Sequence, residues 1–207
     1  MPFVDGEARD DAWAALEAWL ASVRRWQDEE GKSEVSGSPN IVALTGAEGV
    51  GKTRLAESWQ ASLADYPIKI VDDADAYAPL DLFAIINEAI TSRQPLVLIG
   101  RARPVTWVRD ETAPGAPDLI SRLASLTRIE LEGPDQESIQ KALQAGLLQV
   151  GLDLPEAQVR QAAHRLCRRF SAVRDVVLSA ARLSGSIAAA KPLLEAAIAD
   201  NPRHCLS

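Results

Sequence analysis

The feature that most constrains this 207-residue chain is an apolar run, Ile41-Val42-Ala43-Leu44, that stops at a glycine-rich octet: Gly46, Ala47, Glu48, Gly49, Val50, Gly51, Lys52 and Thr53. An apolar run without alternation reads as a strand buried on both faces, and such a strand needs helices above and below it. The glycines let the backbone turn its amides inward, making a ready cradle for phosphates at the start of a helix, and Arg54 follows on that helix. Lys52 would reach the outer phosphates of a nucleotide and Thr53 would ligate magnesium. An ordinary glycine turn is the plain alternative, and it leaves the Lys-Thr pair unexplained.

Around this unit the pattern alternates. Residues 52–64 read as a helix, 68–71 as a second strand, 80–91 as a helix, 96–99 as a third strand and 128–131 as a fourth. Strands alternating with helices predict an α/β fold with a parallel sheet flanked by helices. Upstream, Trp13, Leu16, Trp19, Leu20, Val23 and Trp26 recur at helical spacing from Asp10 to about Glu29, with Asp10 or Asp11 available as a cap. Residues 31–40 form the clearest linker. After Gly133 the strand signal ends, and Pro134, Pro155 and Pro192 stand where helices could begin. Ser171 is the expected cap of a helix through Leu183, with Gly185 just past its end. The expected division is an α/β domain with its N-terminal helix over residues 1–132 and a helical lid over 133–207.

The second chemical signal is Ile68-Lys-Ile-Val-Asp-Asp73, an apolar strand ending in carboxylates. Next to a phosphate loop, Asp72 would hold hydrated magnesium and Asp73 would polarise an attacking water. Lys69 and Pro67 are out of place in a central strand and natural at a sheet edge. Cys167 and Cys205 make neither a disulfide framework nor a metal cluster and read as inert thiols. His164 and His204 belong to no acid or cysteine arrangement that would suggest catalysis or zinc, and read as structural or solvated. A formal charge of -7 argues against a broad DNA-neutralising surface. No apolar stretch is long enough for a membrane span, and no leader follows Met1, so a cytoplasmic location is expected.

Together these residues resemble the AAA+ ATPases, and within them the DnaA/Hda family, including the Hda-like regulators of alphaproteobacterial type. The resemblance spans most of the chain. Ala116-Pro-Asp-Leu-Ile-Ser-Arg-Leu123 is similar to the family segment whose arginine, here Arg122, projects toward the nucleotide of a neighbouring subunit. Phe170-Ser-Ala-Val-Arg-Asp-Val176 is similar to the family's second sensor, making Arg174 the arginine that lies over the phosphates. Arg165, Arg168 and Arg169 read as a solvated basic face on the preceding helix. Phe3-Val-Asp-Gly6 is weakly similar to the element that contacts the adenine.

The departures are as specific. The stretch between the loop helix and the acidic strand is too short for the family's extra strand and helix, so one strand–helix unit is missing and residues 68–71 should form a sheet edge. The first-sensor position falls in Ile99-Gly-Arg-Ala-Arg103, which offers no Asn, Asp or Thr. No clamp-docking motif precedes Phe3, so contact with the replication sliding clamp is not supported. The sequence ends where the initiator would continue into a dedicated DNA-binding domain.

The resemblance implies a protein that binds ATP or ADP with Mg2+ and meets the initiator DnaA, so that Arg122 promotes hydrolysis of DnaA-bound ATP; self-association is left open. Two alternatives differ in class. One is a nucleotide-gated adaptor with little ATPase activity, favoured by the missing polar sensor. The other is a small P-loop kinase, against which stand the helical tail and the lack of an evident acceptor pocket.

Overall fold

Apolar alternation and its absence sort the strands of this protein before any tertiary contact is considered. The computed structural model describes residues 7–28, 38–64, 66–187 and 189–204. They fall into two compact units, one comprising Arg9–Ala47 and Gly51–Leu131, the other the chain from Glu132 onward together with Glu48–Val50.

The first unit is an α/β sandwich. Its chain order is α1 (Glu7–Asp28), β1 (Ile41–Thr45), α2 (Lys52–Ser62), β2 (Lys69–Val71), α3 (Pro79–Ser92), β3 (Leu96–Gly100), α4 (Ala116–Ser125) and β4 (Thr127–Glu130). The four strands are parallel in the order β2-β3-β1-β4. Every residue of β1 and β3 is buried, as continuous apolar runs in a doubly covered sheet must be. β2 lies at one edge, where Lys69 can turn its ammonium to Glu88 at 2.7 Å. The expected edge position of this strand is therefore observed, and no strand intervenes between α2 and β2 among the described residues.

Packing on one face of the sheet brings Ile41, Ala43, Leu96 and Leu98 against Leu82 and Ile86 of α3 and Leu119 and Leu123 of α4. Asn40 secures the entry to β1: its buried amide donates to the carbonyls of Ala89 and Gln94 at 2.8 and 2.9 Å, satisfying the freed end of α3. α1 turns Leu16, Trp19, Leu20 and Val23 inward, and Trp19 meets the fully buried Trp59 of α2 with ring centroids 6.2 Å apart. Trp59 donates its indole N–H to Glu17 at 2.7 Å. Asp10 and Asp11 lie within α1, which has already begun at Glu7, so neither is its cap.

The second unit is all-helical: α5 (Gln136–Gln149), α6 (Glu156–Ala163), α7 (Phe170–Leu183) and α8 (Ala190–Ala199). Leu143, Leu147, Leu166, Val173, Val176, Leu193 and Ile198 supply much of its core. Asp135 caps α5 by accepting from the Ser138 amide at 2.7 Å. Pro155 stands at the start of α6 as expected. Two local expectations change. Arg169, not Ser171, occupies the cap position of α7, and Ser171 lies in the first turn. Arg165, Arg168 and Arg169 are exposed but sit in the connection after α6 instead of on that helix. Within this unit the Gly49 carbonyl accepts from the amides of Phe170 and Ser171 at 2.9 and 3.4 Å.

Candidate functional site

β1 and β3 are neighbours, so their carboxyl ends lie side by side, with β2 next in line. In open parallel sheets this edge is where ligands bind. The loop after β1 turns at Gly51, whose φ of 101° lies in the region open to glycine, and delivers Lys52 as the first residue of α2. Lys52 Nζ donates to the carbonyls of Gly46 and Ala47 at 2.8 and 3.0 Å. Burial of the ammonium holds its pKa below the usual lysine value; the carboxylates of Asp72 and Asp75 pull the other way, and the guanidinium of Arg101 adds to the lowering. Thr53, one position on, donates its hydroxyl to Asp72 Oδ2 at 2.7 Å.

Asp72 and Asp73 stand just beyond β2. Asp72 Oδ1 accepts from the Asp73 amide at 2.8 Å, and Asp73 takes a left-handed conformation, φ 48°, which a short polar side chain tolerates. Thus Lys52, Thr53, Asp72 and Asp73 are brought together by the first unit alone. Oxygen donors from Thr53 and Asp72 at one point suit a hard cation such as Mg2+, and the adjacent ammonium suits phosphate.

Two further groups belong here. Asp75 acts on Lys52 through its charge, and its buried Oδ1 has no hydrogen-bond partner among the described residues. Arg101, the first residue past β3, pairs with Asp73 at 3.5 Å. The acidic cluster was visible in the sequence, but nothing local distinguishes Asp75 from its neighbours or aims Arg101 across the sheet.

Other candidates differ in exposure and contacts. Ala47 and Glu48 are exposed on the loop, Val50 is buried, and Arg54 is exposed in the first turn of α2. Arg122 is in the last turn of α4, its guanidinium 5.2 Å from the centre of the Phe83 ring. Arg174 belongs to the helical unit, with its Nε 3.0 Å from Asp175 Oδ1. Phe3-Val-Asp-Gly6 and Cys205 lie outside the described residues.

Asp175 itself was missed by the sequence reading. Its carboxylate accepts from Arg203 at 2.8 Å and from the buried His204 Nε2 at 2.9 Å, besides Arg174. His204 turns Nδ1 to Cys167 Sγ at 3.9 Å. His204 is therefore structural, one of the two readings the sequence offered, and no group of three or more His, Cys, Asp or Glu residues that could hold a metal ion occurs among the described residues. Burial alone would push the Asp175 carboxyl up; the hydrogen bonds from His204, Arg174 and Arg203 outweigh it and hold the group below the usual carboxylate range. Its stabilising contribution is present above the unfolded pKa of about 3.9 and is lost as pH falls through the depressed folded value. We expect Asp175→Asn to lose about 1–3 kcal/mol at pH 7 and to flatten the acid limb of the stability curve. Thermal melts from pH 3 to 7 check this; a parallel downward shift at all pH values would remove the linkage.

No family model matches the sequence, and no curated protein matches it. Solved structures do. Domain III of the Thermotoga maritima replication initiation protein DnaA superposes with a TM-score of 0.65 at 18% identity, covering 99% of this chain and 95% of that one. The RuvB Holliday junction branch migration motor of Thermotoga maritima gives 0.61 at 16% identity, over 96% and 70% of the two chains. A DNA replication initiation factor gives 0.63 at 14% identity, over 97% and 66%. At these identities the likeness is one of fold, and the fold is that of the AAA+ ATPases. No helix among the described residues is long and apolar enough to cross a membrane.

Proposed function

We propose that this chain binds ATP or ADP with Mg2+ on the loop from Gly46 to Thr53, with the helical segment from 133 onward serving as lid, and that it acts as an Hda-like regulator of replication initiation. The observation that carries the reading is the meeting of Lys52 at the loop carbonyls with the Thr53–Asp72 contact of 2.7 Å, on the AAA+ fold. In this reading Lys52 binds the outer phosphates, Thr53 and Asp72 hold the cation, and Asp73 orients water. Gly46, Ala47, Glu48, Gly49, Val50 and Gly51 supply backbone amides, Arg54 flanks them, and Arg174 leaves Asp175 for the phosphates. The bound cation would supply charge neutralisation along the phosphate chain. The partner proposed is DnaA, whose ATP hydrolysis Arg122 would promote by adding a cation in trans.

Arg122 suits such a role chemically. Its guanidinium rests over the Phe83 ring, and helix α4 fixes its base. Titrating ATP-loaded DnaA with this protein and measuring phosphate release tests the proposal. Arg122→Ala should remove at least about 90% of the stimulation, as loss of a trans arginine typically costs 10³-fold or more in rate, with nucleotide affinity intact. Unchanged stimulation would end the trans-arginine role.

A second reading, the nucleotide-gated adaptor with little turnover of its own, is favoured by one specific observation. The end of β3 carries Gly100 followed by Arg101, and Trp107 lies directly on Gly100, so no polar side chain occupies that position to place water. Slow turnover by the purified protein alone suits either reading; stimulation of DnaA separates them.

A further inference from the structure

The end of β3 poses a problem that the proposed reading leaves unsolved. Gly100 is the last residue of a strand wholly buried between β1 and β2. A Cβ placed on it would lie 2.6 Å from Trp107 Cε2, closer than real Cβ atoms approach, and 3.0 Å from Nε1. Trp107 is only 5% exposed and donates its indole N–H to the Ala102 carbonyl at 2.9 Å, so it is fixed from both ends. The first side chain the strand can present is therefore that of Arg101.

Arg101 is held only loosely. Its partner, Asp73, is 3.5 Å away, and both side chains are more than half exposed, at 53% and 64%. Exposed pairs of this length are weak and easily exchanged. Around it, Lys52, Asp72 and Asp75 are the other charges of the site, and Arg101 is near enough for its charge to bear on the Lys52 ammonium. A phosphate group carries up to two negative charges and accepts both arms of a guanidinium, so it competes well against one solvated carboxylate. Where Lys52 takes the outer phosphates, as proposed above, a triphosphate would add a terminal phosphate for such a guanidinium that a diphosphate lacks.

We infer that Arg101 is a specificity-determining residue that leaves Asp73 for the terminal phosphate of a nucleoside triphosphate, so that the site distinguishes triphosphate from diphosphate by exchanging an internal ion pair for a ligand contact. The inference rests on the proposed reading that the loop at Gly46–Thr53 binds nucleotide. It assigns to a cation, not to a polar sensor, the task of recognising the nucleotide state. Release of Asp73 on triphosphate binding follows from the same exchange, and it would put an unpaired carboxylate beside the ligand only when three phosphates are present.

Calorimetric titration of the intact chain with Mg2+ and either ADP or a non-hydrolysable ATP analogue tests this. Arg101→Ala should weaken the triphosphate analogue about tenfold and leave ADP within twofold of the wild type; Arg101→Lys should recover part of the loss. Equal weakening of both nucleotides, or no change in either, overturns the proposal while leaving the nucleotide site standing. Wild-type protein that binds neither nucleotide removes the site itself and the inference with it.

Discussion

Replacing Lys52 with alanine is expected to weaken ATP and ADP binding by at least about a hundredfold, roughly 2.7 kcal/mol. The magnitude follows from what the ammonium does at rest. It donates to the carbonyls of Gly46 and Ala47 and stands among the charges of Asp72, Asp73 and Asp75. Without it, a polyphosphate would enter a cluster of carboxylates with less positive charge to oppose them. A hydrogen bond to a charged group contributes about 1.5–3 kcal/mol, and the uncompensated repulsion adds to its loss. Stability should change little, because alanine is the best residue for the first turn of α2 and Lys52 is only half-buried. Calorimetric titration alongside a thermal melt separates the two effects: a folded variant that still binds nucleotide at wild-type strength would refute the assignment of the loop.

Much of this site could be read from the chain because its physics is local. A strand buried on both faces cannot hide its apolar continuity, so Ile41–Leu44 was visible, and the glycine loop follows within two residues. The edge position of β2 was legible for the complementary reason, since Lys69 and Pro67 are tolerated where one side of a strand lacks a partner. What escaped depends on contacts between residues distant in sequence. Cys167, Asp175 and His204 meet across separations of 37 and 29 residues, and none carries a local mark of the encounter. Ser171 looked like a helix cap because capping preference is a tendency of residue type. The chain starts α7 at Phe170, so Arg169 takes the cap position and Ser171 the second helical one. Arg122 and Arg174 were picked out by resemblance; their rotamers, over Phe83 and against Asp175, are properties of the fold.

The contact of Gly100 with Trp107 has the same non-local character, and it yields the second large effect. In a strand with free space, Gly→Ala stabilises by roughly 0.5–1 kcal/mol, because alanine loses less backbone freedom on folding. Here the added methyl would strike the indole, which is buried and tied to the Ala102 carbonyl. Overpacking of this kind typically costs about 1–3 kcal/mol, so Gly100→Ala should destabilise by about 2 kcal/mol or more, with the sign reversed from the open-strand case. Trp107→Leu creates the missing space at its own cost, on the order of 2–4 kcal/mol for a large buried aromatic. In that background Gly100→Ala should be neutral or stabilising, which gives a coupling of about 2 kcal/mol between the two positions. Urea unfolding of the four proteins measures the cycle. Additive losses would mean that the cost at Gly100 does not come from Trp107; strong coupling means that the fold itself keeps that position bare, as the role proposed for Arg101 requires.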